Sequence, residues 1–161
     1  MTTVAPKPLS EYPWSIRLFF WKQRRTYGRI LDPGLFWGRS PLVFAAVALL
    51  YGALDRRSSP IAPTLRSLVT VRVSQINHCA FCVDINTATL AQRGMTMDKI
   101  SALTSWRESP LFDPDDKLAL EFAEAMTITE PGVSNDLRQR LKGHWSDDTI
   151  VEVTGLIAFQ N

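Results

Sequence analysis

Two cysteines, Cys79 and Cys82, are the only thiols in the chain, and two residues separate them. In a helix, positions i and i+3 lie on one face, so the two sulfurs would point the same way and could join with little backbone movement. A helix is predicted to begin at this pair, and the positive end of its dipole stabilises a thiolate, which lowers a thiol pKa from about 8.5. Such a thiolate attacks peroxides or disulfides, and its neighbour resolves the product. The spacing therefore favours a dithiol–disulfide cycle.

Two other interpretations of the pair stay open. A Cys-x-x-Cys pair supplies half of many zinc sites, but zinc usually takes four ligands, and the chain adds only His78 and His144. His78 adjoins Cys79, which is poor geometry for closing on one metal, so no metal site is predicted. The other interpretation is that both cysteines are chemically inert and fill the core side of a helix.

Composition is typical of one soluble globular domain: 161 residues, of which 45% are apolar and 21% charged. The net charge of +2 indicates no particular partner, and the absence of a basic stripe predicts no nucleic-acid binding. The amino terminus does not resemble an export signal. The most apolar stretch, residues 41–54, is shorter than the roughly 20 residues that cross a bilayer, so we expect a buried core helix there. We therefore expect a cytoplasmic protein, in which a paired-cysteine motif is more often redox-active or metal-binding than structural.

Hydrophobic periodicity and capping residues predict an all-helical protein. Val69, Val71 and Val73 alternate as in a strand, but the apolar residues around them also fit one helical face, which we favour. The expected helices are 14–27 before Gly28, 41–54 after Ser40, one from Thr64, 79–93 closed by Gly94, and four capped by Thr96, Asp113, Ser134 and Ser146.

Two segments, RSLVTVRVSQINHCAFCVDINTATLAQRG and ALTSWRESPLFDPDDKLALEFAEAMT, resemble the carboxymuconolactone decarboxylase and alkylhydroperoxidase-D-like superfamily. The resemblance predicts a family-like domain over residues 58–161, preceded by a tail and an aromatic-rich helical extension over residues 1–57. It implies an all-α fold assembled into trimers or hexamers, and a thiol-dependent peroxidase that uses a hydroperoxide and a thiol or disulfide protein reductant. In the peroxidase branch the second cysteine becomes a sulfenic acid and the first resolves it, which assigns these roles to Cys82 and Cys79. Beyond this redox-active disulfide, no cofactor is expected.

Two positions depart from the active branch of that superfamily. The family has a histidine four residues after the second cysteine, where this chain has Asn86, and a glutamate twelve residues before the first, where it has Ser67. An amide takes no proton near neutral pH, and a serine hydroxyl is too weak an acid and base to replace a carboxylate, so the proton relay is missing. General-base assistance is worth about 10²–10⁴-fold, so we expect a weak peroxidase or none.

Candidate substitutes for the relay are few. His78 could exchange a proton with Cys79, although a surface or capping role is the simpler interpretation. Asp84 is interpreted as a solvated acid of the first helical turn. The functional alternatives are a non-catalytic, oligomeric or redox-sensing family member and, less favoured, a lactone decarboxylase.

Two further groups of residues are interpreted structurally. The N-terminal segment is rich in aromatic and basic residues from Trp14 to Trp37. It suits an interfacial membrane helix or a segment packed over the core or a subunit interface, and we favour packing. Glu121 and Glu124 are interpreted as part of a solvated helix face.

Overall fold

The computed structural model describes residues 4–161, and every regular element in this range is helical, which confirms the all-α prediction. Short 3₁₀ segments cover Leu9–Glu11 and Ala102–Ser105. The α-helices are α1 (Trp14–Tyr27), α2 (Asp32–Trp37), α3 (Pro41–Leu54), α4 (Pro63–Ile76), α5 (Ala80–Gln92), α6 (Met97–Ser101), α7 (Pro114–Thr127), α8 (Asn135–His144) and α9 (Asp147–Gln160). None of these helices is long and apolar enough to cross a membrane. The chain divides into two compact units between Ala53 and Leu54.

In the first unit, α1 buries only one of its faces. Ile16 and Phe20 form a small core with Tyr12, whose ring meets that of Phe20 edge to face at 5.0 Å. The other face carries Trp14 and Trp21, which are 77% and 55% exposed. These two tryptophans do not pack over the core, because the three-residue core occupies the opposite side of the helix, and packing across a subunit interface stays a prediction for them.

Helix α3 is not the buried core helix that its composition predicts. It contains no fully buried residue, and Leu42 and Leu49 are 85% and 74% exposed. Phe44 is the member of α3 that packs against the core of the first unit. A helix that is apolar on every face does not specify which face is covered, so composition alone overestimated its burial.

Helix α4 is the centre of the second unit and packs against α5, α7 and α9. Leu68, Val71 and Val73 have no exposed surface. Because helices surround α4 on several sides, it needs apolar residues around most of its circumference. This explains why its valines alternate as in a strand although the segment is a helix.

A tight turn joins α4 to α5 and places the cysteines. The N–H of Cys79 donates to Ser74 O at 3.1 Å and the N–H of His78 donates to Gln75 O at 3.1 Å, which together form a Schellman motif. His78 occupies the left-handed position of this motif, with φ of 52°. Glycine is the usual residue there, because a side chain in this conformation is strained.

The end of α5 repeats this motif with the usual residue. The N–H of Met95 donates to Leu90 O and that of Gly94 to Ala91 O, and Gly94 has φ of 93°. The predicted glycine cap is thus confirmed, and the helix is one residue shorter at each end than predicted because Cys79 and Arg93 are its caps. Four predicted N-caps are also confirmed, since their side chains accept the expected backbone hydrogen bonds: Thr96, Asp113, Ser134 and Ser146.

Glu124 of α7 is not part of a solvated face. It is only 6% exposed and accepts hydrogen bonds from Arg72 at 2.8 Å, from the Trp106 indole at 2.8 Å, and from Arg107. The prediction failed because the helical pattern does not show that Arg72 of α4 lies across from this carboxylate. Glu121 is half-buried and pairs with Arg140.

Candidate functional site

The cysteine pair lies at the turn between α4 and α5 and is joined in a disulfide, with the two Cα atoms 5.2 Å apart. Cys79 is the N-cap of α5, and its Sγ accepts a hydrogen bond from the N–H of Cys82 at 3.3 Å. Both residues are partly exposed. Partial exposure and the shared bond do not fit the interpretation of two separate, inert core cysteines. They permit attack on the disulfide by an external thiol.

No cluster of histidine, cysteine or carboxylate side chains suited to a metal ion occurs among residues 4–161. His78 is exposed beside the pair, whereas His144 at the end of α8 contacts Asp115 at 3.1 Å. The two histidines therefore lie in different places and have different neighbours.

Asn86 lies one helical turn after Cys82 and faces α4. Its side-chain amide donates to Ser74 Oγ at 3.1 Å, and the amide of Gln160 donates to the same oxygen at 3.0 Å. The Ser74 hydroxyl in turn donates to Thr70 O at 2.7 Å. Ser74 is 1% exposed, and its backbone carbonyl holds the N–H of Cys79. Ser74 thus links the cysteine turn to Asn86, and this cluster contains no carboxylate or imidazole.

Ser67, at the other relay position, belongs to a different cluster. Its hydroxyl accepts from Arg93 Nη1 at 2.9 Å, and Arg93 Nη2 binds both oxygens of Asp55 at 2.7 and 2.8 Å. Arg66 also donates to Asp55, at 3.2 Å. Ser74 follows Ser67 by seven positions, which is about 10 Å along a helix at 1.5 Å per residue. The structure therefore gives Ser67 and Asn86 different partners and shows no hydrogen bond between them.

One electrostatic perturbation next to α4 is at Glu124. Burial alone would raise the pKa of this carboxyl, but hydrogen bonds from Trp106, Arg107 and Arg72, together with the Arg72 charge, hold the pKa below its ordinary value. Glu124 is therefore a permanent anion near neutral pH that anchors α4 to α7. It has no proton to offer to the cysteine pair in that range.

Sequence reasoning missed Ser74, Gln160, Arg93 and Asp55. One signal was available, because antiparallel helices joined by a short turn pair residues whose numbers have a constant sum. Ser74 with Asn86 and Ser67 with Arg93 both follow this rule. The partner Gln160 carried no such signal, since 86 residues separate it from Ser74.

Comparison with known proteins places this arrangement in a family. Residues 41–125 match the carboxymuconolactone decarboxylase family. The chain belongs to that family. An uncharacterised relative, YnjA of Escherichia coli K12, is 44% identical over 154 residues, which cover 96% of this chain and 85% of YnjA.

Solved structures share the fold of this family member. A peroxidase-related protein of Ralstonia eutropha JMP134, described as an alkylhydroperoxidase AhpD core, superposes with a TM-score of 0.82 at 18% identity, covering 98% of this chain and 83% of its own. ATU0492 of Agrobacterium tumefaciens, a protein of unknown function, has a TM-score of 0.71 at 31% identity, covering 78% and 85%. The AhpD-like fold of this carboxymuconolactone decarboxylase family member is thereby shown.

Proposed function

We propose that this family member is a dithiol–disulfide oxidoreductase with slow hydroperoxide reductase activity. The observation that supports it most directly is the partly exposed Cys79–Cys82 disulfide at the N-terminus of α5. A bond in this position is open to an external thiol, and after reduction the helix terminus stabilises a thiolate.

The reaction needs two thiols and no further cofactor. A cysteine thiolate attacks one oxygen of the hydroperoxide and becomes a sulfenic acid, while the other oxygen leaves as an alcohol after taking up a proton. The second thiol attacks the sulfenic sulfur, water leaves, and the disulfide forms. An external dithiol then returns two electrons and two protons, as a thiol or disulfide protein in the reducing cytoplasm would.

The expected slowness follows from what surrounds Asn86 and Ser67. Asn86 bonds to Ser74 and Ser67 bonds to Arg93, so neither position supplies a base. His78 is the one imidazole adjacent to the pair in sequence, and its side chain is exposed. Losing general-base assistance costs about 10²–10⁴-fold in rate.

The test is stopped-flow consumption of cumene hydroperoxide and of a small aromatic disulfide by the reduced protein. Cys79→Ser, Cys82→Ser and the double variant are measured beside it, with Thr70→Val, which removes only a hydroxyl bonded to Ser67 O, as a control. We expect wild type and the control to form one disulfide per substrate molecule consumed, and both single serine variants to stop before the disulfide forms because they lack the second thiol. Equal rates for wild type and the Cys79→Ser/Cys82→Ser double variant would remove the enzyme hypothesis and favour the redox-sensing or scaffold alternative.

Self-association is part of the proposal. The exposed apolar side chains of α3, among them Leu42 and Leu49, resemble those of subunit interfaces. We expect light scattering after size-exclusion chromatography to show a homo-oligomer, a trimer or a hexamer. Leu49→Asp should shift the protein towards the monomer, whereas a wild-type protein that is monomeric at all concentrations would contradict the proposed self-association.

A further inference from the structure

Helix α1 presents an apolar stripe on the side that faces away from its core. Trp14, Leu18 and Trp21 are 77%, 57% and 55% exposed. Their spacing of four and then three residues places them on one side of the helix, away from the buried Ile16 and Phe20. A protein surface rarely exposes several large apolar side chains together, so this stripe indicates a face that meets a partner.

Basic residues border this stripe. Helix α1 contains no acidic residue, and its four basic side chains are all exposed: Arg17, Lys22, Arg24 and Arg25. At about 100° per residue, Arg17 and Arg24 follow one edge of the stripe and Lys22 follows the other. The Arg25 guanidinium lies over the Trp21 ring, 4.6 Å from its centroid. The face is therefore apolar along its centre and positive along both edges.

The positive charge of α1 is not neutralised within the chain. Among residues 4–161, no basic residue of α1 takes part in an ion pair, whereas most of the basic residues after position 53 do. Residues 1–53 contain seven basic and two acidic residues, and residues 54–161 contain eleven and fourteen. The overall charge of +2 thus divides into a first unit of net charge +5 and a second unit of −3.

A shallow depression of about 210 Å³ lies against one edge of the stripe, and both Arg17 and Arg24 line it. Its other lining residues are apolar or aromatic: Leu9, Phe20, Trp21 and Ile30. Two guanidinium groups beside an apolar hollow suit a phosphate group that is attached to a hydrocarbon chain. The hollow is smaller than the pockets that enclose whole drug-sized ligands, so it suits one lipid headgroup.

We infer that α1 docks on the surface of an anionic lipid bilayer, with Trp14, Leu18 and Trp21 in the interfacial region and the basic residues against lipid phosphates. Tryptophan prefers this region because its ring is apolar and its N–H is polar. An apolar stripe bordered by lysine and arginine is the pattern of helices that lie in the plane of a bilayer. The inference goes beyond the proposed function, which does not use α1.

The charge of α1 favours a bilayer over the subunit contact that the sequence predicts for this segment. A two-fold contact between this helix and the same helix of a second copy would set four cations against four cations, which is unfavourable. An anionic bilayer offers negative charge along the whole helix, and each lysine or arginine near its surface strengthens binding about fivefold. Nucleic acid also matches the charge, but it offers no apolar layer for Leu18.

Vesicle binding tests the inference. The full chain is mixed with vesicles of phosphatidylcholine alone, or of phosphatidylcholine and phosphatidylglycerol in equal amounts, and sedimentation measures the bound fraction at low and high salt. We expect binding to the anionic vesicles to be at least about tenfold stronger than to the neutral ones and to weaken with salt, because ions screen the attraction. Lipids brominated near the headgroup should quench the tryptophan fluorescence of the bound protein.

Matched charge variants separate α1 from the rest of the surface. Arg17→Gln/Arg24→Gln should weaken binding to the anionic vesicles by about twentyfold, since two cations leave the docking face. Arg138→Gln/Lys142→Gln removes the same charge from exposed positions of α8 and should change the affinity little.

A second pair of variants tests the apolar stripe. Trp14→Ser/Trp21→Ser should lose most of the binding and of the quenching. Leu111→Ser/Val151→Ser, which removes two exposed apolar side chains of the second unit, is the control and should bind like the wild type.

Three outcomes would overturn the inference. The first is no binding to anionic vesicles at low salt, and the second is binding that both sets of α1 variants leave unchanged. The third is a wild type that ignores vesicles while Trp14→Ser/Trp21→Ser lowers the molar mass in light scattering, or while the protein binds single-stranded DNA, which would assign the face to a subunit contact or to nucleic acid. The cysteine pair is intact in every variant, so turnover in solution should stay at the wild-type rate and tests the proposed function separately.

Discussion

Replacing His78 by glycine should stabilise the protein, because His78 holds the left-handed position of the turn before the cysteines with φ of 52°. A non-glycine residue in this conformation costs about 1–2 kcal/mol. Glycine also gives the unfolded chain more conformational freedom, and this offsets about 0.4–1 kcal/mol of the gain in stability. The net expectation is that His78→Gly raises the free energy of unfolding by about 0.5–1 kcal/mol, or roughly 1–4 °C in Tm for a chain of this size.

The chain contains a matched control at the other end of α5. Gly94 holds the equivalent position with φ of 93°, and a Cβ built there meets nothing within 4 Å. Gly94→Ala therefore adds only backbone strain, and the same arithmetic gives a loss of about 0.5–1 kcal/mol. Urea titrations of the disulfide-bonded protein, followed by circular dichroism, measure both changes. A destabilised His78→Gly, or two variants that shift in the same direction, would refute the reasoning.

A third variant separates the backbone role of His78 from a chemical one. Asparagine tolerates the left-handed conformation, so His78→Asn keeps the turn and removes the imidazole. If the imidazole exchanges protons with Cys79, the oxidation rate falls in His78→Asn and in His78→Gly alike. Equal rates in all three proteins would assign His78 to the turn alone.

Three other predictions concern polar side chains of α5, α4 and α7. Asn86→His should speed peroxide reduction by about tenfold or more, because it places a base one turn after Cys82. Adding Ser67→Glu should contribute little, since Arg93 already bonds to position 67 and would pair with the new carboxylate; a large further gain in stopped-flow rate would contradict this. Glu124→Gln should cost about 2–4 kcal/mol at neutral pH, because it leaves the partly buried Arg72 and the neighbouring Arg107 without their buried anion. The lowered pKa of Glu124 means that its stabilisation is present above the unfolded-state value of about 4.3 and is lost as the pH falls below it. Denaturation at several pH values should therefore show that the difference in free energy of unfolding between wild type and Glu124→Gln becomes smaller in acid. A difference that does not change with pH would contradict this prediction.

Local chemistry let the sequence specify much of this molecule. A cap at Asp113 or Ser134 depends on a side chain and a backbone N–H only three residues away, so its position follows from the residue type. The i, i+3 spacing of Cys79 and Cys82 likewise brings the sulfurs together at the start of α5 whatever surrounds them. These contacts span a single helical turn and need no information from the rest of the chain.

Only the tertiary structure decided what surrounds the pair. The family resemblance predicts that a relay is missing at Asn86 and Ser67, but the hydrogen bonds found there instead join residues 12 to 86 positions apart and involve Ser74, Gln160 and Arg93. The burial of Glu124 and the exposure of α3 were misjudged for the same reason. Composition and periodicity report how well a face tolerates burial, whereas the register and packing of whole helices determine what lies opposite it.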